Sequence, residues 1–253
     1  MPKTANTIRP APANGQFATT HWSVVTAACG TESPQAAQAL ESLCRTYWFP
    51  LYGYVRRRGH GREDAQDLTQ EFLARLLEKN WLAGVEPRAV LFRSFLLTAL
   101  DRFLINEYDR SSAAKRGGGR LVLSLDQEQA EGRYLAEAVT DESPERLFDR
   151  RWALALLDEA LASLRAELSE AGKVRQFELL NPFLSREAGS GEYSRTSQVL
   201  GLSLSAVGVA VHRLRQRYRE IVRETVANTV VDPGCVDDEI RYLLVLLSGQ
   251  PVK

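Results

Sequence analysis

Apolar positions recur at intervals of three and four along most of the chain, and no persuasive segment alternates with a period of two. The pattern predicts an all-α protein. A short helix can start near Trp22, capped by Thr19 or Thr20. A run over about 34–54 places Leu40, Leu43, Tyr47 and Leu51 on one side; Gly59 and Gly61 interrupt it, and a run over about 62–78 aligns Ala65, Leu68, Phe72 and Leu76. Residues 81–87 read as a loop, followed by a longer helix over about 88–110 that Gly117, Gly118 and Gly119 bring to a close. Ser143-Pro144-Glu145 supplies a capping serine and a first-turn proline. The helix they open should reach about 169 and bury Leu147, Trp152, Leu156, Leu157, Leu161 and Leu164. One more helix is expected over 173–184. Asp232-Pro233-Gly234 then leads into a short amphipathic helix over 235–248, striped by Val236, Ile240, Leu243, Leu244 and Leu247. Its acidic first turn, Asp237, Asp238 and Glu239, complements the positive end of the helix.

Residues 193–226 carry the most specific pattern. Gly201 suits a tight turn between two short helices, since glycine takes positive φ without steric cost. Ser203 stands where an N-cap belongs. Beyond it, Val207, Val211, Leu214 and Tyr218 form the apolar stripe, leaving Ser205, Gly208, Val209, His212 and Arg213 on the other face. That face is small at its start and basic further along, and Arg215 and Arg217 follow. A helix of this kind can enter a major groove while its arginines grip phosphates. An arginine-studded helix in an ordinary bundle would show much of the same pattern.

Composition changes the picture only where charge is concerned. The 253 residues hold 32 Lys and Arg against 32 Asp and Glu, so the net charge is zero. The charges are segregated, however. Arg110, Lys115, Arg116 and Arg120 form one basic block, and Arg213, Arg215, Arg217, Arg219 and Arg223 form another. Between them lies an acidic stretch from Asp126 to Asp149, and separated blocks of opposite sign point to charged partners. Three distant cysteines, Cys29, Cys44 and Cys235, contain no CxxC pair, which argues against a zinc site or disulfide framework and fits a reducing compartment. The histidines, His21, His60 and His212, are scattered, and Gly117–Gly119 lack the Lys-Ser/Thr of a phosphate loop. No catalytic residues, metal or cofactor are expected. The proline-bearing N-terminus is no signal peptide, and the apolar runs are too short to span a bilayer, so the expected location is the cytoplasm.

The order of these elements resembles the sigma-70 family, in particular the two-domain sigma factors of the extracytoplasmic-function type. Asp64-Ala-Gln-Asp-Leu-Thr-Gln-Glu-Phe-Leu is similar to that family's polymerase-docking segment. Leu200-Gly-Leu-Ser-Leu-Ser-Ala-Val, running on through His212-Arg213-Leu214-Arg215, is similar to its promoter-reading turn and helix. The likeness covers roughly residues 17–226, and phrases such as Phe92-Arg93-Ser94-Phe95-Leu96-Leu97 suggest a divergent subgroup with a C-terminal extension. Two helical domains are implied: a disordered arm at 1–16, a docking and −10 domain at 17–119, an acidic linker at 120–143 with only transient structure, a −35 domain at 144–228, and an extension at 229–253.

The resemblance implies core RNA polymerase and promoter DNA as partners, with an anti-sigma or other regulatory partner possible and no membrane. Asp67, Leu68, Gln70 and Glu71 would meet the β′ clamp helices, and the second domain the β flap. Arg102, Asn106, Arg110, Lys115 and Arg116 would contact DNA at the −10 element. Ser203, Ser205, Gly208, Val209, His212, Arg213, Arg215 and Arg217 would do so at the −35 element. The acidic linker would thread the cleft later used by RNA. Phe92, Phe95, Phe103 and Tyr108 could stack on melted bases, but their helical spacing reads as core. Gly208 stands where many relatives carry a lysine or another polar residue, and Arg102 where Asn is common. Two other readings share the residues: a stand-alone helix-turn-helix regulator, and a helical protein-interaction module.

Overall fold

The computed structural model describes residues 34–77, 91–113, 131–132, 134–135 and 142–249, without the side chains of 34–43, 77 and 110–113. The expected arm at 1–16, the helix near Trp22 and the loop at 81–87 lie outside them. The regular structure of the described residues is all helical, with no strand among them. Helix α1 spans Pro34–Arg57, α2 Arg62–Leu77 and α3 Phe92–Ala113. After these come α4 (Pro144–Glu170), α5 (Val174–Leu180) and α6 (Pro182–Ser185). The chain ends with α7 (Glu192–Leu200), α8 (Leu204–Ala227), a 3-10 turn at Pro233–Cys235 and α9 (Val236–Leu247).

Local chemistry sets the boundaries. Ser143 caps α4 by accepting from the Arg146 amide at 3.3 Å, with Pro144 in the first turn where its missing N–H costs nothing. The single helix expected over 173–184 is instead two, α5 and α6. Pro182 has no amide to continue the ladder, and the chain re-enters helix after Asn181. Asp232 accepts from the Gly234 amide at 2.8 Å and so turns the chain into the 3-10 segment ahead of α9.

Two cores result. The first holds Tyr47, Leu51 and Tyr54 of α1, Phe72, Leu73 and Leu76 of α2, and Phe92, Leu96 and Phe103 of α3. It also takes Phe148, Trp152 and Leu156 from the N-terminal half of α4, Val226 from the end of α8, and Val236, Leu243 and Leu246 from α9. Tyr47 and Trp152 stack at its centre with ring centroids 4.0 Å apart and planes 10° from parallel. The second core is smaller: Ala160 and Leu164 of α4, Phe177 and Leu180 of α5, Phe183 of α6, and Val207, Val211 and Leu214 of α8. Helices α4 and α8 therefore run through both.

Several side chains depart from the expected stripes. Leu157 and Leu161 are only half-buried, whereas Phe148 and Arg151 are buried. The Arg151 guanidinium lies over the ring of Phe49, 5.1 Å from its centre, in space left by Gly53; a Cβ there would meet Arg151 Nη1 at 1.7 Å. On α9, Leu244 is exposed and Leu246 takes the buried place, because Leu244 falls about 100° around the helix from Leu243. The sequence predicts only transient structure within 120–143. Instead Glu131 and Tyr134 are helical and docked: Glu131 pairs with Arg56 at 2.8 Å and accepts the Tyr52 hydroxyl, and Tyr134 meets the Tyr52 ring edge-on.

Because the Tyr47–Trp152 stack ties the first three helices to α4, Trp152→Ala should cost about 3–5 kcal/mol of unfolding free energy. Denaturant titration followed by circular dichroism measures this, and a loss under about 1 kcal/mol would show the interface to be loose.

Candidate nucleic-acid interface

The helix-turn-helix is assembled by backbone chemistry. Gly201 ends α7 at φ 65°, a left-handed conformation that favours glycine, and its amide returns to the Ser197 carbonyl. Ser197 fixes the turn further, donating its hydroxyl to the Leu202 carbonyl at 2.7 Å. Ser203 then caps α8, its oxygen accepting from the Ala206 amide at 3.2 Å. Val207, Val211 and Leu214 anchor α8 in the second core. Opposite them, Ser205, Val209, His212 and Arg213 are exposed, with Gly208 half-exposed between them.

The arginines of α8 separate into two groups. Arg213 and Arg219 are exposed, with no ion-pair partner among the described residues. Arg215 turns inward, donating from Nε to the Phe183 carbonyl at 2.8 Å and from Nη2 to that of Arg186 at 2.9 Å. Those carbonyls belong to the end of α6 and the bend after it, so Arg215 pins that segment to α8. Arg217 pairs with Glu167 on α4 at 2.6 Å and with Glu220 and Glu224 on its own helix. The hydrogen bonds that Arg217 donates to Glu167 hold its own pKa above the ordinary arginine value. Sequence spacing could not separate these roles, since the side chains are all arginines on one helix. A groove of about 550 Å³ lies beside Val209 and Arg213, floored by Leu164, Leu168, Phe177 and Leu180.

A second pair of surfaces lies on α2 and α3. Along α2, Glu71 is exposed, Asp67 and Gln70 are half-exposed, and Leu68 packs partly against the first core. Glu71 pairs with Arg75, whose other nitrogen reaches Glu107 of α3 at 2.8 Å. On α3, Arg102 and Asn106 are exposed one turn apart, beside exposed Ile105 and Tyr108. Phe92 and Phe103 are fully buried and Phe95 packs against them, but Tyr108 is 75% exposed. It sits about 140° around the helix from Phe103, so the helical-spacing argument did not apply to it. The Arg110 side chain, Lys115 and Arg116 lie outside the described residues. Carboxylates of the acidic stretch are taken up by the first core and its edge: Glu142 by Arg146 and Arg150, and Glu145 by the Tyr54 hydroxyl.

These features define an all-α protein that presents a helix-turn-helix from a two-core body. The chain belongs to the ECF sigma factor family, whose model matches residues 37–221. It is similar to RNA polymerase sigma factor YlaC of Bacillus subtilis (strain 168), 27% identical over 177 residues that cover 70% of this chain and 88% of YlaC. No solved structure gives a significant match. Membership carries a sigma-factor role in transcription initiation, with core RNA polymerase and promoter DNA as the partners of the class. Residues beyond 221, with the end of α8 and all of α9, lie outside the matched span. Among the described residues, no helix is long and apolar enough to cross a membrane.

Arg215→Ala should lower stability by about 1–3 kcal/mol, because two carbonyls lose a charged donor. Arg213→Ala should change it by less than about 0.5 kcal/mol, the usual range for an exposed site. Denaturant midpoints of the two variants compare these roles directly. The bend after α6 supplies a pH test. Arg186 and the Gly189 amide hold the Glu192 carboxyl down to about 2, from 4.5. A depressed carboxyl stabilises the fold fully above its unfolded pKa and loses that contribution as pH falls through the folded one. The Tm gap between the protein and Glu192→Gln should thus be full above about pH 4.5 and shrink toward pH 2. A gap that is flat with pH would remove the assignment.

Proposed function

We propose that this chain docks on core RNA polymerase through the α2 face of Asp67, Gln70 and Glu71 and directs it to promoters read by α8. The observation that carries the reading is the exposed face of Ser205, Val209, His212 and Arg213, set on a capped helix in a chain of the ECF sigma factor family. Exposed Arg213 and Arg219 would meet phosphates, and Val209 offers an apolar contact of the kind that suits a thymine methyl. Arg215 and Arg217 act one step back, holding α8 against α6 and α4. Arg102 and Asn106 on α3 belong to the −10 contact, with Tyr108 as an exposed ring available for base stacking. Glu71 lies on the β′ clamp-helix contact, where the half-buried Leu68 gives apolar backing. The groove beside α8 has the apolar floor and charged rim that an inserted helix of the β flap would need. The chain needs no cofactor for these steps.

Run-off transcription with purified core polymerase on a promoter library tests this reading. Transcripts that depend on the protein and share upstream elements are expected. In the double variant Asp67→Arg, Glu71→Arg, polymerase affinity should fall by at least about tenfold, since two charges reverse in one contact. Full affinity in that variant would move docking elsewhere. A chain that binds DNA but not polymerase would be a stand-alone regulator. Arg213→Ala should weaken DNA binding across sequences and reduce the salt slope by about 1.

A further inference from the structure

Arg93 is the second residue of α3, and none of the proposed promoter contacts uses it. Its Nη1 lies 2.9 Å from Asp149 Oδ1 on α4, and its Nε 2.8 Å from Glu239 Oε1 on α9. The guanidinium stands 4.4 Å from the centre of the Tyr242 ring, and the Tyr242 hydroxyl donates to the second oxygen of Asp149. One residue earlier, the Phe92 amide donates to the Thr229 carbonyl at 3.1 Å. An amide at a helix start has no acceptor within its own helix, so the C-terminal segment supplies one. Val230, Val236, Leu243 and Leu246 pack into the first core around these contacts, and Arg223 near the end of α8 pairs with Asp237. Residues 229–247 thus grip the start of α3, the N-terminal half of α4 and the end of α8 together. Those elements fix where the reading end of α8 lies relative to the α2 face.

The gripping network is polar and almost out of solvent. Side-chain exposure is 12% for Arg93, 13% for Asp149 and 4% for Glu239. Burial opposes the charge on Arg93, but Glu239 and Asp149 outweigh it and hold the guanidinium charged. One cation between two carboxylates holds only as a set. Withdrawing Arg93 would leave two buried anions, and withdrawing α9 returns Glu239 to water. Apolar side chains alone would hold the segment without the desolvation cost of these charges. A network that is either complete or undone gives a two-state contact.

We propose that residues 229–247 form an intramolecular clasp, pinned on Arg93, that holds the DNA-reading helix at a fixed place against the docking half and releases when core polymerase binds. The proposal rests on the sigma-factor reading. With the clasp released, the end of α8 is no longer held against α3 and the N-terminal half of α4.

Hydrogen exchange on the full chain, free and bound to core polymerase, tests it, with co-elution read on the same sample. In the free chain the amides of 236–247 should be as protected as those of 149–157. In the complex, those of 236–247 should exchange at least about tenfold faster. Glu239→Lys sets like charges together and should produce the same loss over 236–247 without polymerase, while α5 to α8 stay protected. Co-elution with unchanged protection over 236–247 overturns the clasp alone. Absence of protection in the free chain overturns it as well. Failure to co-elute sinks the sigma reading and the clasp with it.

Discussion

A helix of 27 residues, about 40 Å long, is one stiff object, and α4 has to fill two cores at once. Its first half contributes Phe148 and Trp152 to the core of α1 to α3, and its second half contributes Ala160 and Leu164 to the core under the helix-turn-helix. Helix α8 does the same in the other direction, with Val207 and Val211 at one end and Val226 at the other. The position of the exposed face of α8 therefore follows from packing at the far end of the molecule. The Tyr47–Trp152 stack and the Gly53–Arg151 approach are two close contacts of that packing.

The surface chemistry follows from this framework. Within one basic helix, the fold leaves Arg213 and Arg219 to solvent, while Arg215 and Arg217 brace α8 against α6 and α4. Positive charge that the sequence spreads along the helix is thereby concentrated at its exposed side. The carboxylates between the two basic blocks are handled similarly. Glu131, Glu142 and Asp149 each meet an arginine at or near the first core, which is one reason the neutral net charge says so little about the surface.

Much of the candidate interface was legible because its determinants are local. Gly201, Ser203 and the stripe of Val207, Val211 and Leu214 are set by φ preference, capping and the helical period, all within a few residues of one another. The misreadings share a cause. Leu244 and Tyr108 were assigned by spacing alone, but the side of a helix that is covered depends on its neighbour. Arg151 and Glu239 are buried because partners distant in sequence accept their charge or offer a ring, and no hydrophobic pattern marks that.

The sequence by itself determined an all-α chain, the helix-turn-helix with its cap and turn, and the motifs that mark the ECF sigma factor family, since each depends on residues close along the chain. Tertiary structure alone decided that α4 and α8 thread two cores, that Arg215 and Arg217 are braces, and that the C-terminal segment reaches back to Arg93 across 146 residues. These are meetings of distant groups. Buried charge and ring contacts select their partners by position in space, so they come into being only once the helices have packed.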